Sequence, residues 1–430
     1  MIDRLLKRLN SSTCNFLAVK TIESELKDAG YALLKESERW TLKKGGKYYV
    51  IKNGTAIFAF TIPQNYMPGE TPMNIIAAHS DSPCFKLKPN CEIYGEGGIV
   101  SLNVEKYGGG ILYTWFDRPL SLSGRVFIKG EDSFRCFDLK RPIATIPHLA
   151  IHFNRQVNEG NHLSVQKDMK PVIGYLEVEN IVNYKKRGGV IKSILADHLG
   201  VAPESIIDYE AVLYPAEPAD LCGLSNEFIQ SARIDDLSMA YAGLEALLQV
   251  NNADADCVRI LAVFDNEETG SSTKQGAASP VLKNIIERTV VNLGGDREDF
   301  LRTVARSFMI SADDAHAWHP NYNEKYDPTN HPYIGRGPVL KINANGKYMT
   351  DSYGASVFKS LCKEAGVECQ TFVNHGDVAG GSTLGNILTS QLDLNGADVG
   401  NPIWAMHSAR ETGAVNDQID MTKVFIKFWS

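Results

Sequence analysis

The stretch RILAVFDNEETGS, residues 259–271, decides the fold because it joins an apolar run to two adjacent carboxylates. Residues 259–264 have the length of a strand and are almost wholly apolar, which is typical of a strand buried on both faces of a sheet. Glu267 and Glu268 follow at the point where that strand must end. We therefore expect a polar site at the carboxyl end of a core strand.

The sequence on either side of this strand alternates between helix and strand patterns. Residues 235–250 carry apolar side chains at the spacing of one helical face, and residues 280–291 predict a second helix. Residues 307–313 and the apolar run at 74–78 predict further strands, and the first 35 residues predict helices. Such alternation predicts an α/β sheet that is covered on both faces.

The sequence between about 90 and 225 differs, because short β-rich segments are separated by glycine and proline. One helix is expected there, at either 191–200 or 204–212. We predict a discontinuous α/β domain over 1–90 and 230–430, interrupted by a β-rich insert over 91–229.

Composition excludes several classes of protein. The chain has 430 residues, of which 43% are hydrophobic and 22% charged, so it is not a disordered chain. The net charge of -7, without a lysine or arginine cluster, argues against nucleic acid or an anionic membrane as partner. No apolar run reaches the roughly 18 residues of a membrane span, and no secretory leader is evident. The eight cysteines form no CxxC pair, which argues against a cysteine zinc site and predicts reduced thiols in a cytoplasm.

Polar residues follow several of the predicted strands. His79 and Asp81 come after the run at 74–78, Asp313 comes after SFMIS (307–311), and His407 follows another apolar run. Asp235 opens the helix predicted at 235–250. Taken singly, each residue is more often a helix cap, a structural histidine or a surface charge. Because open α/β sheets bind ligands at the carboxyl ends of their strands, their common position predicts one site.

Histidines and carboxylates together suit Zn²⁺, Mn²⁺ or Co²⁺ better than Ca²⁺, which prefers oxygen ligands only. Five ligands with one shared carboxylate would hold two ions roughly 3.5–4 Å apart. One glutamate of the 267–268 pair would then be free of metal, and a free carboxylate in such a place can act as general base.

At these residues the sequence resembles the aspartyl aminopeptidases, the M18 family of cocatalytic metallopeptidases. The matching motifs run in family order along nearly the whole chain. They are AAHSDSP (77–83), KPNCEI (88–93), IPHLAIHFNRQVNEG (146–160), ARIDDL (232–237), DNEETGSSTKQGA (265–277), SADDAHAWHPNY (311–322), GPVLKIN (337–343), KYMTDS (347–352), GGSTLGN (380–386) and MHSARE (406–411).

The resemblance implies two divalent ions, most simply Zn²⁺, with Mn²⁺ or Co²⁺ as alternatives. It implies that one ion is held by His79, Asp235 and Asp313, and the other by Asp235, Glu268 and His407. It also implies that Glu267 is the general base, that Asp81 orients the ligand histidine, and that the peptide bond between Asp235 and Asp236 is cis.

For the fold, the resemblance implies a phosphorylase/hydrolase-like catalytic domain, an α/β/α sandwich around a mixed sheet, with the insert serving oligomerisation. It further implies a tetrahedral homododecamer in which His152 reaches a neighbouring subunit's site. The substrates would be peptides with N-terminal Asp or Glu. Lys347, or alternatively Arg336, would then meet the acidic side chain, while Asp377 would either oppose that side chain or pair with one of these cations. His316 would line the site or a subunit contact.

Two other functions are compatible with the same residues. A related dimetal amidohydrolase acting on N-acyl substrates would use the same ligands, as would an aminopeptidase without acidic preference. A scaffold protein that only keeps the fold would have no need to retain every ligand and the Glu267 base.

Overall fold

The computed structural model describes residues 1–160, 162–251 and 255–430. These residues form two compact units. The first comprises Met1–Asp81, Ala219–Met406 and Glu411–Ser430, and the second comprises Ser82–Pro218 and His407–Arg410. Within the described residues, no helix is both long and apolar enough to cross a bilayer.

The helices are α1 (Ile2–Ser11), α2 (Asn15–Asp28), α3 (Val165–Asp168), α4 (Val178–Lys186), α5 (Val190–Leu199), α6 (Ile234–Gln249), α7 (Val281–Asn292), α8 (Arg297–Arg306), α9 (Ser352–Glu364), α10 (Leu384–Leu388) and α11 (Val415–Phe428).

The strands are β1 (Ala32–Leu33), β2 (Lys47–Lys52), β3 (Ala56–Thr61), β4 (Met73–His79), β5 (Cys84–Tyr94), β6 (Ile99–Tyr107), β7 (Leu120–Ile128), β8 (Arg135–Asp138), β9 (Val172–Tyr175), β10 (Ile206–Pro215), β11 (Asp220–Cys222), β12 (Phe228–Ser231), β13 (Val258–Phe264), β14 (Phe308–Ala312), β15 (Ala315–His316), β16 (Val339–Lys341), β17 (Gln370–Phe372), β18 (Asn395–Gly400), β19 (Pro402–Ile403) and β20 (Glu411–Ala414).

A nine-stranded mixed sheet forms the centre of the first unit, with strand order β1-β2-β3-β13-β4-β14-β18-β16-β17. The neighbours β13, β4, β14 and β18 run parallel, whereas β3 and β16 join them antiparallel. All seven residues of β13 are buried, as its apolar sequence predicts. The predicted mixed α/β fold is confirmed.

The sheet is covered on both faces because successive residues of its strands point to opposite sides. In β4, Ile76 and Ala78 pack into one core cluster with α1, α2, α6 and α11. Ile75 and Ala77 pack into a second cluster with α7 and α8. The carboxyl ends of the parallel strands therefore lie between two layers of helices, and α6 belongs to the first layer.

A six-stranded antiparallel sheet, with strand order β8-β7-β10-β5-β6-β9, forms the second unit. Its core includes one face of α5. Of the two places expected for a helix, 191–200 is right and 204–212 is wrong. Residues 206–212 belong to β10, where backbone pairing with β7 and β5 satisfies a segment rich in β-formers. Helix α4 was not foreseen; Val178, Ile181 and Val182 have helical spacing, but none of its residues is buried.

Asp417 of α11 connects this helix to the turn that leads into β16. Its buried carboxylate accepts hydrogen bonds from the amides of Gly335 and Gly337, both at 2.7 Å. Burial raises the pKa of Asp417 to about 7, although the two amide donors oppose that rise. The carboxyl group is therefore easier to protonate in the folded chain than in the unfolded one.

Replacing Asp417 by asparagine is expected to change how stability depends on pH. A raised folded-state pKa adds stability at low pH, and this contribution is lost as pH rises from the usual value of 3.8 through about 7. That interval corresponds to about 4 kcal/mol. Urea unfolding at pH 4 and pH 8 should show the wild type losing up to this amount relative to the variant. A difference between the two proteins that does not vary with pH would contradict the prediction.

Candidate metal centre

His79 stands at the end of β4, between the ends of two parallel neighbours. In the register of the sheet, His79 lies beside Phe264 of β13, and Ala77 lies beside Ser311 of β14. The side chain is 1% exposed. Its Nε2 atom lies 3.4 Å from Oδ1 of Asp235 and 3.9 Å from Oδ1 of Asp313. One imidazole nitrogen therefore faces two carboxylates supplied by different elements.

Asp235 and Asp236 begin α6, and the peptide bond between them is cis, as predicted. The two carboxylates differ in their surroundings. Asp235 directs Oδ1 toward His79, and its amide donates to Oε2 of Glu411 at 3.1 Å. Asp236 accepts the backbone N–H of His79 at 2.9 Å. The start of α6 is thus attached directly to the end of β4.

Asp81 links the histidine to the glutamate pair. The carbonyl oxygen of Asp81 lies 3.0 Å from Nδ1 of His79, and its carboxylate oxygen Oδ1 lies 3.3 Å from the same nitrogen. The two carboxylate oxygens also accept the amides of Glu267 and Glu268, at 3.1 and 3.2 Å. One buried carboxylate therefore sets the orientation of the imidazole and the place of both glutamates.

The glutamates lie in a 3-10 turn, Glu267–Thr269, whose loop is held by its own side chains. Asn266 adopts a left-handed backbone conformation with φ of 62°, and its side-chain oxygen accepts from Thr273 and Gln275, each at 2.8 Å. Asparagine tolerates this conformation better than most residues. The motif DNEETGSSTKQ is therefore a rigid support for two half-buried carboxylates.

Burial raises the pKa of Glu267 to about 8. His79 opposes this rise, whereas the negative charges of Asp313, Glu268 and Asp81 add to it. Cations in the site would lower the pKa of Glu267, because an opposite charge nearby favours the ionised carboxylate.

Asp313 follows β14 and is held from its far side by Lys341. The Nζ atom of Lys341 lies 3.5 Å from Oδ2 of Asp313, and Lys341 is 3% exposed. Although burial disfavours the ammonium, Asp313 and other carboxylates raise the pKa of Lys341. The next residue, Asp314, accepts the hydroxyl of Ser238 at 2.7 Å. One oxygen of Asp313 thus faces His79 while the other is paired with a lysine.

The donor atoms fit a divalent cation. Ligand atoms of His79, Asp235, Asp236 and Asp313 all lie within 4.8 Å of one another. Within the described residues, no donor reaches Oδ1 of Asp236 or of Asp314, although both atoms are buried. Burial alone disfavours the imidazolium, but Asp236 and the neighbouring carboxylates raise the pKa of His79 well above its usual value. Buried carboxylates in this number are costly unless cations neutralise their charge. The donor set of one imidazole and several carboxylates suits Zn²⁺, Mn²⁺ or Co²⁺.

The remaining predicted residues are divided between the two units. His407 opens the segment that groups with the second unit, where its carbonyl oxygen accepts the amide of Ile111 at 3.0 Å. His152 is exposed in a 3-10 turn of the second unit. His316 and Lys347 are exposed in the first unit, and the His316 ring lies 5.8 Å from that of Phe372. Their roles remain predictions.

Sequence reasoning did not select several charged residues near this site, among them Lys341, Asp236 and Asp314. A signal existed for each of them. Lys341 is a lone charge inside the apolar run VLKI, and Asp236 and Asp314 are second members of aspartate doublets. A doublet at a strand or helix end can supply one carboxylate to the site and another to its support.

Comparison with known proteins agrees with this geometry. The family model described as aminopeptidase I zinc metalloprotease (M18) matches residues 8–429. The chain belongs to the M18 family. Members of the family are metalloaminopeptidases, so this M18 chain is a hydrolase.

Its relatives match it over nearly their whole lengths. A probable M18 family aminopeptidase 2 from Clostridium novyi is 45% identical over 100% of this chain and 98% of its own. Ape4, in a cryo-EM structure of the Ape4 and Nbr1 complex, has a TM-score of 0.95 and 34% identity, covering 99% of this chain and 84% of that one. The mApe1 dodecamer of S. cerevisiae has a TM-score of 0.85 and 25% identity, covering 99% and 95%.

Replacing Lys341 by methionine in the M18 chain should destabilise the metal-free protein by about 3–5 kcal/mol, because it leaves buried carboxylates without this cation. The loss should be smaller when metal is present, since bound cations then offset the same charge. Urea unfolding with and without chelator measures both values, and Lys341→Arg, which keeps the charge, is the control. Equal losses in the two states would contradict the prediction.

Proposed function

We propose that this M18 chain is a dinuclear-metal aminopeptidase that releases N-terminal residues, preferentially Asp and Glu, from peptides. The observation that carries the proposal is the buried group of His79, Asp235 and Asp313, with Glu267 fixed beside it through Asp81. A general base next to a site for cations is the arrangement that metal-assisted amide hydrolysis requires.

Two ions would be held by the ligand sets that the resemblance implies, with Asp235 shared between them. His79 and Asp313 would complete the first set, and Glu268 and His407 the second. Chain connectivity supports the assignment of His407. Trp404 and Thr412 exchange backbone hydrogen bonds of 2.8 and 3.0 Å, and Glu411 accepts the amide of Asp235. His407 is four residues from Glu411, which is at most roughly 14 Å of extended chain.

The ions, when bound, supply Lewis acidity that polarises the scissile carbonyl and makes water easier to ionise. Glu267 would accept the proton of the attacking water on its carboxylate and pass it to the leaving amine. Nearby cations would keep Glu267 ionised for the first transfer. Asp81 would hold Glu267 and His79 in position, because its oxygens meet both residues.

The free α-amino group of the substrate would bind among the acidic side chains, which limits cleavage to the N-terminus. For an acidic N-terminal side chain we assign Lys347 and His316, because both are exposed and Lys347 follows the strand of Lys341 by six residues. Replacing Lys347 by alanine should then lower kcat/KM for Asp-p-nitroanilide more than for Leu-p-nitroanilide. Equal effects on the two substrates would remove Lys347 from this role.

We assign the second unit to oligomerisation, in a tetrahedral homododecamer that brings His152 to a neighbouring subunit. The S. cerevisiae relative is a dodecamer. The segment around His152 exposes Leu149, Ile151 and Phe153 by 58%, 52% and 81%. Exposed apolar patches of this kind mark interaction surfaces. We assign the enzyme to the cytoplasm, with neither nucleic acid nor membrane as partner.

The experiment that tests the function is removal of metal with a chelator, followed by assays on Asp- and Leu-p-nitroanilide. Activity should disappear and return with Zn²⁺, Mn²⁺ or Co²⁺. N-acetylated substrates should not be cleaved, because the α-amino group is then blocked. Activity on N-acetylated substrates alone would establish an amidohydrolase, and full activity without metal would refute the proposal.

A further inference from the structure

The glycine-rich segment 374–382 begins beside the Asp313 side of the metal centre. It follows Phe372 of β17, which pairs in register with Lys341 of β16. Lys341 in turn contacts Asp313, and the exposed His316 ring packs edge-on against Phe372. Residues 376–379 are themselves exposed. The segment therefore leaves β17 beside the strand that carries Lys341, and its middle is exposed to solvent.

Thr383, the residue directly after this segment, is held by Asp398 of β18, which is 0% exposed. Oδ1 of Asp398 accepts the hydroxyl of Thr383 at 2.6 Å, and Oδ2 accepts the amide of Met349 at 2.6 Å. The backbone N–H of Asp398 donates to the hydroxyl of Thr350 at 2.8 Å. One side chain thus joins the glycine-rich segment to the loop that carries Lys347.

The contact leaves little room for movement. A Cβ atom on Gly385, two residues after Thr383, would lie 2.6 Å from Oδ2 of Asp398. A buried carboxylate is costly unless hydrogen bonds satisfy it, and here two donors come from the loops that it joins. Burial raises the pKa of Asp398, and the buried ammonium of Lys341 on the neighbouring strand β16 opposes that rise.

We infer that Asp398 is a positioning residue for substrate: through Thr383 it fixes the glycine-rich segment as the wall against which the N-terminal residue of the peptide binds. This inference rests on the proposed function. Neither Thr383 nor Met349 is among the residues assigned to metal binding or proton transfer. Loosening the segment should therefore weaken substrate binding and leave the chemical step largely intact.

The matched variants Thr383→Val and Thr383→Ser test this role, because valine keeps the shape and serine keeps the hydroxyl. Thr383→Val should raise KM for Asp-p-nitroanilide by about tenfold, the effect of losing one hydrogen bond to a charged group. The value of kcat should stay within about twofold, and bound metal should be unchanged. Thr383→Ser should restore the wild-type KM. If Thr383→Val does not fold, Thr383→Ala is measured instead, and the same rise in KM is expected.

An unchanged KM in a folded variant would overturn the inference, and so would a fall in kcat at constant KM. A Thr383→Ser variant as impaired as Thr383→Val would also overturn it, because the hydroxyl would then not be the cause. These results are distinct from failure of the proposed function, which would show as a wild-type enzyme inactive on every aminoacyl substrate.

Discussion

Replacing Glu267 by glutamine is expected to lower kcat by a factor of about 100 to 10,000, the usual contribution of a general acid–base group. Glutamine keeps the size of the side chain and the backbone N–H that donates to Asp81, so the loop should keep its conformation. The neutral glutamine side chain, however, cannot accept a proton from water. The measurement is steady-state hydrolysis of Asp-p-nitroanilide by the metal-loaded protein, with metal content determined on the same sample.

The adjacent glutamate provides the matched control. Glu268→Gln should lose bound metal, because we assign Glu268 as a ligand, whereas Glu267→Gln should keep it. The two substituted positions are adjacent in the same turn, so a general disturbance of the loop would affect both variants alike. If Glu267→Gln retains more than about a tenth of wild-type kcat, Glu267 is not the general base.

The central sheet and the position of the site can be predicted from the sequence because both depend on local patterns. The apolar runs of β4 and β13 predict buried strands, and parallel strands bring their carboxyl ends to one edge. His79 and Asp313 are therefore expected to be neighbours although more than 200 residues separate them. The sequence does not show which carboxylate of each doublet faces the site. That depends on how α6 meets β4, which is a tertiary contact.

The burial of Lys341 and Asp398 could not be predicted for the same kind of reason. Each is a single charge within an apolar strand, and such a charge is also common on exposed edge strands. Their burial follows from the antiparallel addition of β16 to β18, and from loops that arrive from distant parts of the sequence. Helix α4 is hard to predict because its apolar stripe of Val178, Ile181 and Val182 is short and none of its residues is buried. Residues 206–212 are ambiguous because short apolar segments fit a helix or a strand.

Replacing Asp235 by asparagine should have the largest effect on metal binding, because we assign this carboxylate to both ions. Asparagine preserves shape but removes the charge that a shared ligand must supply. We expect the variant to lose both ions and all measurable activity, with the fold retained by circular dichroism. Asp313→Asn and Glu268→Gln should each lose one ion, since each belongs to a single ligand set. Metal analysis after dialysis against buffer without metal distinguishes the three variants. Retention of one ion by Asp235→Asn would show that the two sites do not share this carboxylate, and two ions retained by all three variants would remove these residues from the metal centre.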